Sequence, residues 1–94
     1  MKNVAKPPVD FTNRFNRQRE AAPLAIKIAF REALEIFLED PQNDTLRNHP
    51  LNKLGKKYFG IWSIDIAPDW RALYKKEKNS CIFLALGTHE QLYK

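Results

Sequence analysis

The chain has one cysteine, three glycines and no long hydrophobic run, and these shortages exclude several classes of protein. Cys81 alone cannot form an internal disulfide, so nothing in the sequence requires an oxidising compartment and we expect a cytoplasmic protein. No apolar run approaches the ~20 residues that cross a bilayer, and residues 1–10 lack the apolar core of a signal peptide. Neither membrane spanning nor secretion is therefore expected.

The common catalytic and ligand-binding signatures are absent from the sequence as well. It contains no glycine-rich phosphate loop, no paired cysteines, no His-Glu-x-x-His and no Gly-x-Ser-x-Gly. Nucleotide-binding, zinc and esterase functions have no support, and we expect neither a cofactor nor a bound metal.

The size and composition are those of one folded domain with a basic surface. Ninety-four residues, 44% of them hydrophobic and 12% aromatic, suffice for one domain core, so we expect a single domain over residues 1–94 with a loose arm at residues 1–8. The 16 Lys and Arg against 11 Asp and Glu give a net charge of +5, which favours a polyanionic partner. The positive charge is concentrated in residues 1–20 and 44–79, whereas residues 21–43 are acidic.

Proline and hydrophobic spacing place the principal helix at residues 23–39. Pro23 suits the first turn of a helix, and the apolar residues behind it recur at intervals of three and four. The helix should end at Asp40, because a residue before proline is pushed out of the helical region. A shorter helix, capped by Thr12 or Asn13, precedes it.

The second half of the chain has the period of β-strands. Ser63 and Asp65 alternate with apolar residues, which predicts a strand that carries these two side chains on a solvent-exposed face. Further strands are predicted at residues 70–76 and 81–86, and a short edge strand at residues 9–11. We therefore expect an α+β fold of two layers, with N-terminal helices packed on a C-terminal antiparallel β-meander.

Polar and aromatic residues suited to chemistry cluster where two predicted strands begin and end. They are Asp69, Trp70, Arg71, His89 and Tyr93. Adjacent antiparallel strands put the start of one beside the end of the other, so these residues can meet at one rim of the sheet. His49 lies in a loop, where Pro50 favours an extended backbone, and this loop would have to bring it to the same rim.

These residue types match what is needed to cleave RNA through its own 2′-hydroxyl. The reaction needs a base for the 2′-hydroxyl proton, an acid for the leaving 5′-oxygen and positive charge near the phosphate. His49 and His89 suit the first two roles because imidazole titrates near neutral pH, and Arg71 suits the third through its planar donors. Asp69 can orient a histidine or act as a base, and Tyr93 can stack on a nucleobase or hold a phosphate oxygen. No metal is required.

Each of these residues also has a purely structural explanation. The histidines can be ordinary surface residues, Trp70 suits the core, and Asp69 can simply cap the turn before its strand. If the two strands pair across a short turn, Asp65 lies opposite Arg71, and the two can form a cross-strand ion pair. The lysines that follow His49 are solvated loop residues by default.

Three segments of the sequence resemble the toxins of bacterial type II toxin–antitoxin modules, in the YafQ-like branch of the RelE/ParE superfamily. They are Leu46-Arg47-Asn48-His49-Pro50-Leu51, then Ser63-Ile64-Asp65-Ile66-Ala67-Pro68-Asp69-Trp70-Arg71-Ala72-Leu73-Tyr74, and Gly87-Thr88-His89 with Leu92-Tyr93. The resemblance covers about residues 11–94. The three segments occur in the family's order in a basic chain with helices before strands. Together they make the resemblance more specific than any one segment would.

The resemblance implies a RelE/ParE-like two-layer sandwich with the activity of that family. This would be a ribosome-dependent, metal-independent endoribonuclease that cuts mRNA in the ribosomal A site and is held inactive by a cognate antitoxin. The positions that match catalytic ones in YafQ-like or RelE-type toxins, or the functional aromatic near their C-terminus, are His49, Asp69, Trp70, Arg71, His89 and Tyr93. We therefore predict catalytic roles for His49, Asp69, Arg71, His89 and Tyr93, and substrate contacts from Trp70, Asp65, Lys53, Lys56 and Lys57.

One position departs from the family pattern. YafQ-like toxins carry a further histidine on the strand before Pro68, where this chain has Asp65. A carboxylate there repels phosphate unless Arg71 pairs with it. Either the two remaining histidines suffice, or the protein cleaves poorly and has another target. The alternatives are a ParE-like inhibitor of DNA gyrase without nuclease activity and a degenerate homologue that only binds an antitoxin.

Overall fold

The first helix is capped by Thr12, one of the two cap residues that the sequence predicts. In the computed structural model, which describes residues 8–93, the Thr12 hydroxyl caps helix α1 (Asn13–Ala21) by accepting a hydrogen bond from the Phe15 N–H at 3.1 Å. The arm predicted at residues 1–8 lies outside the described residues, except for Pro8.

The second helix is the amphipathic one. Helix α2 (Leu24–Glu39) follows Pro23 and ends at Asp40, which confirms the prediction for residues 23–39. Its buried residues lie on one side, at the predicted intervals of three and four. No helix within the described part of the chain combines the length and the apolar character needed to cross a membrane.

Five strands form one sheet in the order β1-β5-β4-β3-β2. The strands are β1 (Val9–Phe11), β2 (His49–Pro50), β3 (Ile61–Ala67), β4 (Trp70–Lys76) and β5 (Cys81–Thr88). β3, β4 and β5 form the predicted antiparallel meander, which confirms the α+β fold, and β1 pairs in parallel with β5. The parallel pair is possible because α1 and α2 carry the chain back between the two strands.

Aromatic side chains form the core between the helices and the sheet. Phe15 and Phe30 lie with their ring centroids 5.7 and 5.6 Å from that of Phe83, and Phe37 lies 5.0 Å from Tyr74. All five side chains are almost completely buried. Truncating one buried Phe to Ala typically costs about 3–5 kcal/mol, so this cluster dominates the stability of the fold.

The other face of the sheet carries a smaller core. Leu51, from the loop between β2 and β3, packs with Leu73, Ala85 and Leu92. Ser63 shares this face opposite Leu73 and is 0% exposed, so the prediction that it faces solvent is wrong. The alternating pattern separates the two faces of a strand. It does not show that the loop after β2 covers the face of the sheet that points away from the helices.

Candidate active site

A hollow of about 630 Å³ opens at the rim of the second core. We call it the histidine hollow, and its lining is His49, Pro50, Leu51, Asn52, Lys53, Leu54, Arg71, His89 and Tyr93. It lies between β2 with the loop that follows it, β4, and a one-turn helix, α3 (His89–Leu92). The structure thus brings both histidines, Arg71 and Tyr93 together, although 40 positions separate His49 from His89 in the sequence.

His49 is positioned by β2 and by a backbone hydrogen bond. It pairs with Ser63 across β2 and β3, and its Nδ1 lies 2.6 Å from the carbonyl oxygen of Arg47. A carbonyl can only accept, so Nδ1 must carry the proton of this bond. Nε2 is therefore the ring nitrogen that remains for a ligand in the hollow.

A hydrogen-bonded pair holds the segment that carries His49. The buried Tyr74 hydroxyl donates to Asn48 Oδ1 at 2.8 Å, and Asn48 Nδ2 donates to the Pro41 carbonyl at 2.9 Å. Burial raises the pKa of Tyr74 to about 12. Tyr74 thus links the helix-facing core to the residue beside His49.

His89 is positioned by the turn before β4 and by α3. Its backbone N–H donates to the carbonyl oxygen of Asp69 at 3.1 Å, and Thr88 caps α3 in a capping box with Gln91. The imidazole meets the Tyr93 ring edge to face, with centroids 4.6 Å apart. The one-turn helix therefore places His89 and Tyr93 as neighbouring walls of the hollow.

The side chain of Arg71 pairs with the carboxylate that departs from the family pattern. Arg71 Nε lies 3.1 Å from Asp65 Oδ1, and Arg47 Nε lies 3.7 Å from Asp65 Oδ2. The predicted cross-strand pair between Asp65 and Arg71 is confirmed. Two guanidinium groups around one carboxylate leave a net charge of +1, so Asp65 does not make this rim negative.

A second hollow of about 440 Å³ lies beside the first and shares Arg71 with it. Asp65, Asp69 and Arg47 line this second hollow. Asp69 is exposed and has a positive φ of 69°, and it bonds to His89 through its backbone carbonyl. The hydrogen bond between Asp69 and His89 thus runs from backbone to backbone, and the role predicted for the Asp69 side chain, to orient a histidine or act as a base, stays a prediction.

Three predicted substrate contacts lie elsewhere. Trp70 packs against the helix-facing core and lines a shallow hollow with Gln18 and Leu86, so it does not form a wall of the histidine hollow. Lys56 and Lys57 lie beyond the hollow in an exposed 3₁₀ turn, whereas Lys53 lines it. Trp70 alternates in phase with Ala72 and Tyr74 along β4, so it lies on the helix-facing side, as its structural explanation had it.

Two residues at the site were not predicted from the sequence. Arg47 supplies the carbonyl to His49 and the second guanidinium to Asp65. Tyr58 packs edge to face on Tyr93, with ring centroids 5.9 Å apart, and supports it from behind. Arg47 lies two positions before His49, but nothing in its residue type predicts a left-handed backbone.

Comparison with solved structures identifies the fold. No protein-family model and no curated protein matches the chain. The crystal structure of YafQ from E. coli strain BL21(DE3) matches with a TM-score of 0.74 at 19% sequence identity, over 95% of this chain and 100% of that one. The E. coli DinJ-YafQ toxin-antitoxin complex matches with a TM-score of 0.72 at 18% identity, over 96% and 100%. The archaeal RelE-RelB complex from Pyrococcus horikoshii OT3 matches with a TM-score of 0.69 at 16% identity, over 89% and 96%.

At sequence identities of 16–19%, these structures support the fold of this chain. Its chemistry has to be inferred from the site itself. The similarity to the matched toxins extends over nearly the whole chain. The structure thereby confirms the fold that the sequence resemblance implied, and this chain has the RelE/ParE-superfamily fold in the form that YafQ shows.

Proposed function

We propose that this protein is a ribosome-dependent, metal-independent mRNA endoribonuclease, the toxin of a type II toxin–antitoxin module. The observation that carries the proposal is that His49, His89 and Arg71 line one hollow. At about 630 Å³, this hollow is in the size range of small-ligand sites and suits a single nucleotide.

In the proposed reaction the RNA supplies its own nucleophile. One histidine takes the proton of the 2′-hydroxyl, and that oxygen bonds to the adjacent phosphorus. The bond from phosphorus to the 5′-oxygen breaks, and the second histidine gives this oxygen a proton. The products are a 2′,3′-cyclic phosphate and a 5′-hydroxyl, and the order of the two histidines is left open.

The charged and aromatic neighbours have supporting roles. Arg71 stabilises the charge that develops on the phosphate, and Asp65 orients its guanidinium through the 3.1 Å ion pair. Tyr93 packs against the His89 ring and offers an aromatic wall for a nucleobase. Lys53 adds a positive charge at the edge of the same hollow.

The proposed partners follow from charge and from the matched complexes. The sequence from Thr45 to Ile64 contains four basic residues and no acidic one, which favours attachment to ribosomal RNA. DinJ and RelB are bound to YafQ and RelE in the matched structures, and we propose that a cognate antitoxin neutralises this protein in the cytoplasm in the same manner.

Translation in vitro tests the proposal directly. Purified protein is incubated with ribosomes and message, and primer extension locates the cuts. A parallel incubation uses protein that has been treated with EDTA to remove metal ions. We expect cuts with wild type and with Lys78→Ala, a control in the exposed turn between β4 and β5, and none with His49→Ala/His89→Ala. Intact message together with inhibited gyrase supercoiling would instead support the ParE-like alternative.

A modified message tests the nucleophile. A message with a 2′-deoxy nucleotide on the 5′ side of the cut should remain whole at that site, because no internal hydroxyl is available there. Cleavage at the modified nucleotide would refute the 2′-hydroxyl mechanism.

A further inference from the structure

Backbone strain in this protein is concentrated at the site. Among residues 8–93, Arg47 and Asp69 are the two non-glycine residues with a positive φ, at 46° and 69°. Each directs its carbonyl oxygen to a histidine of the hollow: Arg47 to the ring of His49 at 2.6 Å, and Asp69 to the backbone N–H of His89 at 3.1 Å. The left-handed region is unfavourable for a residue with a side chain, and such strain clusters at functional sites.

A purely local explanation accounts for only part of the geometry at Arg47. The residue ends a 3₁₀ turn (Asp44–Leu46), its N–H bonds to the Asp44 carbonyl, and a left-handed residue is a common way to end a helix. Glycine, which has no Cβ, or asparagine, which tolerates the left-handed region, would serve that purpose at a lower cost. The local explanation also says nothing about the 2.6 Å contact to the His49 ring.

We propose that Arg47 is a positioning residue whose left-handed backbone fixes the tautomer of His49. The carbonyl holds the proton on Nδ1, so that Nε2 is the nitrogen presented to a ligand in the histidine hollow. The catalytic meaning of this arrangement rests on the proposed nuclease function. The tautomer itself is a property of the protein that can be measured without RNA.

The side chain of Arg47 contributes separately and weakly. Its guanidinium is 78% exposed and lies 3.7 Å from Asp65, the carboxylate that holds Arg71. An exposed ion pair at this distance is largely screened by water. Arg47 therefore contacts His49 through its backbone and the partner of Arg71 through its side chain, and the backbone contact is the stronger of the two.

Two substitutions separate the backbone from the side chain. Arg47→Gly removes the guanidinium and keeps the left-handed conformation, which glycine adopts without strain. Arg47→Val also removes the guanidinium, but a β-branched residue opposes that conformation. The residue is exposed, so both variants should fold, and circular dichroism checks that they do.

The direct test is the ¹⁵N spectrum of the imidazoles in the purified chain at a pH where they are neutral. The chain has two histidines, so the His49→Gln variant assigns the signals. We expect the Nδ1–H tautomer of His49 in wild type and in Arg47→Gly. In Arg47→Val the imidazole should rotate freely and show a mixture of the Nδ1–H and Nε2–H tautomers. A wild-type proton on Nε2, or an unchanged tautomer in Arg47→Val, would overturn the inference.

Message cleavage supplies the second readout. The rate of message cleavage by Arg47→Gly should fall by at most about fivefold, as expected for the loss of a screened ion pair. Arg47→Val should lose about 10²-fold or more, which is the lower end of what a positioned acid or base contributes. Equal losses in the two variants would overturn the backbone role. If wild type cuts no message yet shows the Nδ1–H tautomer, the nuclease proposal fails while the inference about Arg47 is supported.

Discussion

Replacing Tyr74 by Phe removes one buried hydroxyl and tests how the segment beside His49 is held. Tyr74 is 0% exposed, and its hydroxyl is the donor to Asn48 Oδ1 at 2.8 Å. Asn48 is half-buried, so its oxygen can regain water only in part, and we expect a loss of about 1 kcal/mol in the free energy of unfolding. For a domain of this size that loss lowers Tm by roughly 4–8 °C.

The same substitution has a signature at alkaline pH. Tyrosine in the unfolded chain loses its proton near pH 10, whereas burial holds the pKa of Tyr74 at about 12 in the folded protein. Between these values the folded state binds more protons than the unfolded state, so stability falls as pH rises, by about 2–3 kcal/mol in all. In Tyr74→Phe, the free energy of unfolding should lack this contribution to its fall between pH 10 and pH 12.

Denaturant titrations of wild type and Tyr74→Phe at neutral pH and between pH 10 and pH 12 measure both effects. The difference between the two proteins isolates the tyrosine from the lysines that titrate in the same range. Equal stability at neutral pH and parallel alkaline curves would refute the role assigned to this hydroxyl.

Three further predictions concern charge and packing. Asp65→Asn should lower the free energy of unfolding by at most about 1 kcal/mol, because the carboxylate and Arg71 remain partly hydrated; denaturant titration measures this, and a loss several times larger would contradict the estimate. Lys53→Gln should weaken binding to an RNA oligonucleotide and reduce the slope of log affinity against log salt by about one, whereas the distant Lys78→Gln should change the slope less. Phe30→Ala should cost about 3–5 kcal/mol, and a calorimetric Tm within a few degrees of wild type would show that the aromatic core is less important than argued.

The sequence predicted those features that depend on local pattern. Helix α2 follows from hydrophobic spacing between Pro23 and Asp40, and the ion pair between Asp65 and Arg71 follows from two strands joined by a short turn. Both arise from interactions between residues close in sequence, which a single sequence records well.

Features set by distant contacts could not be read in this way. Ser63 is buried because the loop after β2 folds over its face of the sheet. The left-handed backbone of Arg47 has no signal in its residue type, since glycine or asparagine would be the usual choice. Strand order predicted that His89 meets Arg71, whereas His49 had to be brought to the same rim by its loop, as the family resemblance implied; the structure places both histidines at one hollow.

The rate of message cleavage by His49→Ala, His89→Ala and the double variant tests most directly whether two imidazoles in one hollow act together. We predict that each single variant loses about 10²–10⁴-fold and that the double variant loses much less than the product of the two, as for groups that act as a unit. A double-variant loss equal to the product of the two single losses, or cleavage by the double variant at the wild-type rate, would contradict the account.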